Sequence, residues 1–382
     1  MKIALLSWES LHSIRVGGIS PHVTQLAEAL HRHANEVHIF TRMGEGQKSC
    51  EAIDGVIYHR CPFDFNSDFI SEVNNMCNSF VNNFLEVKNK DGDFDIAHGH
   101  DWLTVNALAQ IKEKSDANII FTIHSTEYGR CGNNLYEGLP RTIRDLEWYG
   151  SYIADKVITV SHHLKDEVKW LYNVPDWKMS VIYNGIDLKR FDIMVNPKEI
   201  KHRYGIPDSD HICLFTGRMT EQKGPDILIE AIPSVLKVFP DVKFVFAGNG
   251  HMTDYLKHRA WALGVSDACK FLGYIPENEL NELYKTSDLV CVPSRNEPFG
   301  IVVLEAWSAG KPVVVTHNGF DYIEHGVNGL KVYDYPDSVA WGINEVLFDN
   351  STAKNIADNG NNLVGAFSWD NIATKTLRVY TV

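Results

Sequence analysis

The chain has 382 residues, of which 44% are hydrophobic and 22% charged, which is ordinary for a globular protein and enough to build two sizeable cores. Its formal net charge of -13 excludes general nucleic-acid binding, because a phosphate backbone requires a basic surface. The seven cysteines show no paired metal-ligand spacing, so we expect reduced thiols and a cytoplasmic location. No apolar run approaches the roughly 18 residues of a membrane-spanning helix, so no integral membrane segment is expected.

Short apolar or β-branched runs alternate with helical patterns along the first half of the chain. The predicted strands are Ile3–Trp8, Glu36–Thr41, Gly55–Arg60, Ile96–Gly99, Asn118–Ile123 and Lys156–Val160. Such alternation is typical of βαβ units around a parallel sheet. The first helix is expected to begin with Ser20 as its N-cap and Pro21 at its first position.

A second series of the same kind follows a polar stretch near residues 183–205. Its predicted strands are His211–Thr216, Val242–Ala247, Cys269–Gly273, Leu289–Pro293, Pro312–Thr316 and Gly329–Val332. We therefore predict an α/β protein with two doubly wound, Rossmann-like domains, residues 1–185 and 186–367, and a final helix in residues 368–382. Because such sheets bind ligands at the carboxyl ends of their strands, two domains facing each other would form one cleft.

Paired glycines, Gly17 and Gly18, separate the first predicted strand from the first helix. Glycine lets the backbone approach a ligand closely, and the start of a helix presents free N–H groups to an anion. The pattern is therefore compatible with a phosphate seat, and equally with an ordinary strand-to-helix turn. The segment lacks the G-x-G-x-x-G pattern, which argues against a dinucleotide enzyme.

A histidine, His124, ends another predicted strand and should face the cleft, although a lone histidine is often structural. The segment from His98 to Trp102 ends a neighbouring strand. A metal centre needs three or four convergent ligands, and the sequence offers no further matched pair. We therefore predict no metal ion at this position.

Two cations, Arg218 and Lys223, lie on a loop between a strand ending at Thr216 and a helix beginning at Pro225. Arginine offers a bidentate fork for phosphate oxygens and lysine a point charge, so together they suit a diphosphate. The alternative is an ordinary solvated loop with exposed charges.

The most specific motif is a pair of glutamates eight positions apart, Glu297 and Glu305, around the start of a predicted helix. Glu297 should stand at the cleft, and the amides of Phe299, Gly300 and Ile301 suit a sugar hydroxyl or a phosphate. Glu305 lies in an apolar run, which makes a solvent-facing position unfavourable.

Taken in this order, the motifs resemble those of the glycogen/starch synthase-like group of retaining GT-B glycosyltransferases, the family 4/5-like enzymes, over nearly the whole chain. The resemblance implies that Arg218 and Lys223 hold the nucleoside diphosphate and that Glu305 binds the ribose. It also implies that Glu297, with the amides of Phe299, Gly300 and Ile301, binds the donor sugar, and that His124 contacts this sugar near its 6-hydroxyl. By the same resemblance, Gly17 and Gly18 are donor-binding candidates, and the nucleotide base is expected against Tyr274 and Ile275. The final helix is expected to return to the first domain.

Some details resemble glycogen synthases in particular. Arg15-Val16-Gly17-Gly18 is similar to their Lys-x-Gly-Gly, and the His-Asp-Trp-Leu-Thr run at residues 100–104 is similar to their His-Asp-Trp-x-Thr. Glu9 falls where these enzymes carry a glutamate near the acceptor, so Glu9 and Asp101 are acceptor-side candidates. The exchange of lysine for Arg15 leaves the donor nucleotide open.

The implied reaction is transfer of a hexose, with glucose favoured, from a nucleoside diphosphate sugar to a hydroxyl acceptor with retention of configuration. No cofactor and no metal are expected, and the acceptor is an α-glucan or a small sugar. Three alternatives remain: transfer of mannose or another hexose to a small acceptor, nucleotide-sugar 2-epimerisation, and non-catalytic glycan or nucleotide binding. The acceptor, the choice among UDP, ADP and GDP, and the oligomeric state stay open.

Overall fold

A computed structural model describes residues 1–381, which divide into two compact units. The first unit contains Met1–Gly185 and the segment from Trp369 onward, and the second contains Ile186–Ser368. Among the described residues, no helix is both long and apolar enough to cross a bilayer.

The first unit is built on an eight-stranded sheet. Its strands are β1 (Lys2–Leu6), β2 (Glu36–Arg42), β3 (Cys50–Ile53), β4 (Val56–Cys61), β5 (Ile96–His100), β6 (Asn118–Ile123), β7 (Lys156–Thr159) and β8 (Met179–Val181). They lie in the order β3-β4-β2-β1-β5-β6-β7-β8, and only the β3–β4 pair is antiparallel. β1 is buried along its whole length, as expected for a parallel strand covered on both faces.

Six helices connect these strands. They are α1 (Ile19–Arg32), α2 (Phe69–Asp91), α3 (Val105–Lys114), α4 (Glu127–Arg130), α5 (Leu139–Ile153) and α6 (His162–Tyr172). The predicted start of α1 was wrong, because the helix begins at Ile19 with Gly18 as its N-cap. Ser20 lies inside the helix, and its hydroxyl is committed to the carboxylate of Glu9.

The second unit is built on a six-stranded parallel sheet. Its strands are β9 (His211–Thr216), β10 (Val242–Ala247), β11 (Cys269–Gly273), β12 (Leu289–Val292), β13 (Val313–Thr316) and β14 (Leu330–Val332). Its helices are α7 (Pro197–Arg203), α8 (Pro225–Leu236), α9 (Thr253–Ala262), α10 (Glu277–Thr286), α11 (Ile301–Ser308), α12 (Pro336–Phe348) and α13 (Asn350–Val364). The strand order is β11-β10-β9-β12-β13-β14. The order reverses between β9 and β12, which is the place where doubly wound sheets bind ligands.

The last helix, α14 (Trp369–Tyr380), belongs to the first unit. Its buried side chains, including Trp369 and Ile372, join a core cluster with residues of α1 and β1. The hydroxyl of Tyr380 lies 2.7 Å from Nδ1 of His98 in β5. A Cβ on Gly185 would come within 2.5 Å of the Trp369 ring, so the chain passes close to this helix where the first segment of the unit ends.

Candidate active site

The loop that carries Arg218 and Lys223 lies against the end of a neighbouring strand. It runs from the end of β9 through a short 3-10 turn, Glu221–Lys223, into α8. Gly224 adopts the left-handed conformation with φ of 64°, and a Cβ there would lie 2.1 Å from the carbonyl oxygen of Pro293, just beyond β12. Only glycine fits both constraints, and this contact brings Lys223 to the loop that follows β12.

Lys223 and Glu297 form an ion pair at this point. The Nζ atom lies 2.8 Å from Oε1 and 2.7 Å from Oε2 of Glu297, and the Ser294 hydroxyl donates to Oε2 at 2.9 Å. The Glu297 side chain is 6% exposed and that of Lys223 is 22% exposed. The alternative of an ordinary solvated loop with exposed charges therefore does not hold for Lys223, because the buried carboxylate holds its ammonium group. The two motifs identified separately in the sequence meet in one cluster.

Arg218 stands on the same loop with its side chain exposed. Its Nη2 atom donates to Oε1 of Gln222 at 3.3 Å, which is a long contact. The guanidinium group therefore lies at the surface of the unit, where it can receive phosphate oxygens without first breaking a strong ion pair.

The residues predicted to bind the donor sugar lie at the start of α11. Gly300 has φ of 83°, and a Cβ there would come within 2.3 Å of the Phe320 ring. The Tyr322 hydroxyl donates to the carbonyl oxygens of Phe299 at 2.7 Å and Gly300 at 3.0 Å. These contacts hold the loop in front of Ile301, where the positive end of the helix dipole favours an anion.

Glu305 is buried and already has two partners in the second unit. Nη1 of Arg190 lies 2.5 Å from Oε1, and the Tyr284 hydroxyl donates to Oε2 at 2.6 Å. Burial alone would lower the pKa of Arg190, but the neighbouring carboxylates, chiefly Glu305, outweigh it and raise the pKa. Sequence reasoning missed both partners, because Arg190 lies in the polar stretch at the boundary between the two series of strands and Tyr284 lies in a helix of ordinary amphipathic pattern.

Tyr274 and Ile275 follow β11 in the same unit. The Tyr274 side chain is 80% exposed and Ile275 is partly buried. A large exposed aromatic ring next to an edge strand is available for contact with a ligand, and the predicted role in binding the base stays a prediction.

His124 follows β6 in the first unit, where it packs among other histidines. Its Nε2 atom lies 3.1 Å from Nδ1 of His100, and its ring centroid lies 4.5 Å from that of His22. Burial lowers the pKa of His124 to about 3, so its imidazole is neutral at pH 7. The sequence did not indicate that His22, which lies in α1, would reach this position.

Asp101 supports the backbone of His124. It has φ of 58°, which is uncommon for a residue other than glycine, and its Oδ1 atom accepts from the backbone N of His124 at 2.7 Å. Burial raises the pKa of Asp101 to about 6, although the nearby Arg130 acts in the opposite direction. The structure thus gives Asp101 a positioning contact, and its acceptor-side role stays a prediction.

A carboxylate already lies at the glycine pair. The Oε2 atom of Glu9 accepts from the backbone N of Val16 at 2.6 Å, the backbone N of Gly17 at 2.5 Å and the Ser20 hydroxyl at 2.5 Å. The amide of Gly17, expected to receive a phosphate, is therefore bonded to Glu9, because the start of α1 favours a negative charge and Glu9 supplies it. Gly18 is exposed, and the acceptor-side role of the buried Glu9 stays a prediction.

Comparison with known proteins assigns both halves of the chain. The model of glycosyltransferase family 4 matches residues 16–190, and that of glycosyl transferases group 1 matches residues 196–363. An uncharacterised glycosyltransferase of Methanocaldococcus jannaschii is 40% identical, the alignment covering 100% of this chain and 98% of that protein. A glycogen synthase of Mycobacterium tuberculosis is 29% identical, with 100% and 94% covered.

A solved structure, that of Anabaena HepE in complex with UDP-glucose, has the same fold. It superposes with a TM-score of 0.78 at 20% identity, covering 100% of this chain and 99% of that one. The family models, the relatives and the fold agree with the motifs of the two units. The chain belongs to the GT-B glycosyltransferases of the glycogen/starch synthase-like group and is a nucleotide-sugar-dependent hexosyltransferase.

Proposed function

We propose that the chain transfers glucose from a nucleoside diphosphate glucose to a hydroxyl of an α-glucan, with retention of the α configuration. The observation that carries the proposal is the Lys223–Glu297 pair, where a cation for the diphosphate and a carboxylate for the donor sugar lie 2.7 Å apart at adjacent strand ends. The glycogen synthase among the relatives and the UDP-glucose bound by HepE support glucose as the sugar.

The reaction needs stabilisation of the negative charge that grows on the leaving diphosphate. Lys223 and Arg218 lie on one loop next to the end of β9 and supply two positive charges there. Groups held in place before the reaction stabilise developing charge without reorganising, and this is a large contribution to catalysis. The ion pair with Glu297 provides such preorganisation for Lys223.

The proposed mechanism is same-face attack without a covalent intermediate. The bond between the anomeric carbon and the diphosphate oxygen breaks while a bond from that carbon to the acceptor oxygen forms on the same face. The acceptor proton passes to an oxygen of the leaving diphosphate. The positive charges of Arg218 and Lys223 balance the negative charge of the diphosphate, so we propose that transfer uses no metal and no further cofactor.

The roles of the remaining site residues follow from the resemblance. Glu305, held by Arg190 and Tyr284, is proposed to accept hydrogen bonds from the ribose diol, and His124 to contact the donor sugar. The relatives are a glycosyltransferase and a glycogen synthase, which argues against the 2-epimerase and the non-catalytic alternatives. Transfer to a small acceptor and transfer of mannose from GDP-mannose are the alternatives that the following screen distinguishes from the proposal.

A donor and acceptor screen tests this proposal. The enzyme is mixed with UDP-glucose, ADP-glucose, GDP-glucose or GDP-mannose, with and without a malto-oligosaccharide, and release of nucleoside diphosphate is followed. We expect a glucose donor to give the highest kcat/KM, release that depends on the glucan, and an α-linked product by NMR. A higher kcat/KM with GDP-mannose would overturn glucose as the donor sugar. Release stimulated only by small sugars would overturn the α-glucan as the acceptor, and a β-linked product would overturn retention of configuration.

A further inference from the structure

Three histidines from separate elements of the first unit converge in space. His22 lies in α1, His100 ends β5 and His124 follows β6. Their ring centroids are 4.5 Å apart for His22 and His124, 5.3 Å for His22 and His100, and 5.4 Å for His100 and His124. One ring nitrogen from each residue lies within 4.8 Å of the other two. This is the number of convergent protein ligands that an open zinc site uses.

Hydrogen bonds within the protein leave this cluster incomplete. Nδ1 of His100 lies 3.1 Å from Nε2 of His124, while Nε2 of His100 is buried with no hydrogen-bond partner in the part of the chain that the structure describes. A buried polar group without a partner costs about 1–3 kcal/mol. A metal ion bound at Nε2 of His100 would give this nitrogen the partner that it lacks.

The surroundings resemble the outer shell of a metal site. Nδ1 of His22 lies 2.9 Å from Oδ1 of Asn184, and this bond orients the ring and leaves Nε2 of His22 available as a ligand.

A fourth histidine marks the limit of the site. Both ring nitrogens of His98 have partners, since Nδ1 lies 2.7 Å from the Tyr380 hydroxyl and Nε2 lies 2.7 Å from the Thr122 hydroxyl. His98 therefore packs behind His100 without offering a ligand. His124 is only partly buried, so the cluster has a side from which an ion can enter.

We propose that His22, His100 and His124 bind one divalent transition metal ion of the zinc class, with the fourth position open to water. Imidazole nitrogens favour zinc, copper, nickel and cobalt over magnesium and calcium, which prefer oxygen ligands. The proposal gives this ion no part in sugar transfer, because the proposed mechanism meets the charge of the diphosphate with Arg218 and Lys223.

One consequence rests on the proposed function, which assigns His124 a contact with the donor sugar. Zinc bound to His124 would occupy one of its ring nitrogens and place a cation beside the ring, so zinc should inhibit transfer. Metal binding itself does not depend on that assignment.

Zinc binding is tested directly on the whole chain after dialysis against a chelator. Calorimetric titration with Zn²⁺ should show one saturable site, and Co²⁺ should give the visible absorption of a tetrahedral complex. His22→Gln should abolish saturable binding or weaken it at least tenfold, and Asn184→Ala should weaken it 10- to 100-fold through loss of the orienting contact. The melting curve of each metal-free variant checks that it is folded.

The chain offers a matched control in a second group of three possible ligands, His12, Glu28 and Asp54. His12→Gln should leave zinc affinity unchanged. Absence of saturable binding, unchanged affinity in His22→Gln, or loss in His12→Gln alone would each overturn the site. Binding that needs His22 but leaves turnover unaffected would keep the site and instead contradict the contact between His124 and the donor sugar.

Discussion

The Nζ atom of Lys223 lies between both carboxylate oxygens of Glu297, at 2.8 and 2.7 Å, although 74 positions separate the two residues in the sequence. The pair joins the loop after β9 to the loop after β12 in a place where the carboxylate is almost fully buried. Breaking a buried pair by removing one partner leaves the other uncompensated. The ion pair therefore serves stability as well as the site.

This pair should show energetic coupling in a double-mutant cycle. Lys223→Met leaves the Glu297 carboxylate buried without its cation, which should cost about 1–3 kcal/mol of unfolding free energy. Adding Glu297→Gln removes the charge and should restore part of that loss, which gives a coupling energy of about 1–3 kcal/mol by denaturant unfolding. The exposed pair Lys354–Asp358, at 3.5 Å, is the control, with expected coupling below about 0.5 kcal/mol. Equal coupling energies for the two pairs would contradict a stabilising role of the Lys223–Glu297 ion pair.

Tyr284 is expected to position Glu305 for the ribose. Tyr284→Phe removes one hydrogen bond to the carboxylate, worth about 1 kcal/mol, and should raise KM for the donor about fivefold with little change in kcat. A 2′-deoxyribose donor provides the control, because a donor without that hydroxyl should show a smaller difference between the two enzymes. A lower kcat with unchanged KM would contradict a role in donor binding.

Asp101 should make stability depend on pH in a definite direction. Burial raises its pKa from 3.8 to about 6, so the folded protein binds more protons than the unfolded chain between about pH 4 and 6. The stabilising contribution of the protonated form is therefore present below about pH 4 and lost as the pH rises through 6.

The measurement compares Asp101→Asn with the wild type by denaturant unfolding. Asn cannot ionise and still offers an oxygen to the backbone N of His124. The variant should gain about 2 kcal/mol relative to the wild type between pH 4 and pH 7. The exposed Asp267→Asn is the control, and a difference between Asp101→Asn and wild type that stays constant with pH would contradict the raised pKa.

Chelation should not stop transfer. In the proposed mechanism Arg218 and Lys223 supply the positive charge for the diphosphate, so turnover after EDTA treatment should equal or exceed that of untreated enzyme. An increase is expected where EDTA removes zinc from the three-histidine cluster. Complete loss of activity in EDTA, restored by Mn²⁺, would show that a metal ion supports the reaction.

The fold could largely be predicted, because buried parallel strands give short apolar runs between helical patterns. Strands β6, β9, β10 and β11 have their predicted bounds. β3 and β8 were missed, since a four-residue edge strand and a three-residue strand carry little periodic signal.

The sequence could predict individual site residues from their type and their position at a strand end, but it could not predict which of them are in contact. Lys223 and Glu297 were identified because charges there face ligands, but their ion pair depends on tertiary contact. The same holds for Glu9 at the Gly17 amide, for Arg190 at Glu305, and for His22 beside His124. These partners lie on other elements or loops, where local pattern does not indicate which side chains meet.

The turnover of Lys223→Ala tests the central claim, that the loop after β9 binds the donor diphosphate. Loss of one preorganised charge typically costs about 2.7–4 kcal/mol of barrier, so the rate of nucleoside diphosphate release should fall about 100- to 1000-fold. The measurement is made with saturating donor, below the melting temperature of the variant, beside Lys257→Ala, which changes an exposed lysine of α9 and should keep the wild-type rate. A folded Lys223→Ala enzyme with a near-normal rate would show that the diphosphate binds elsewhere.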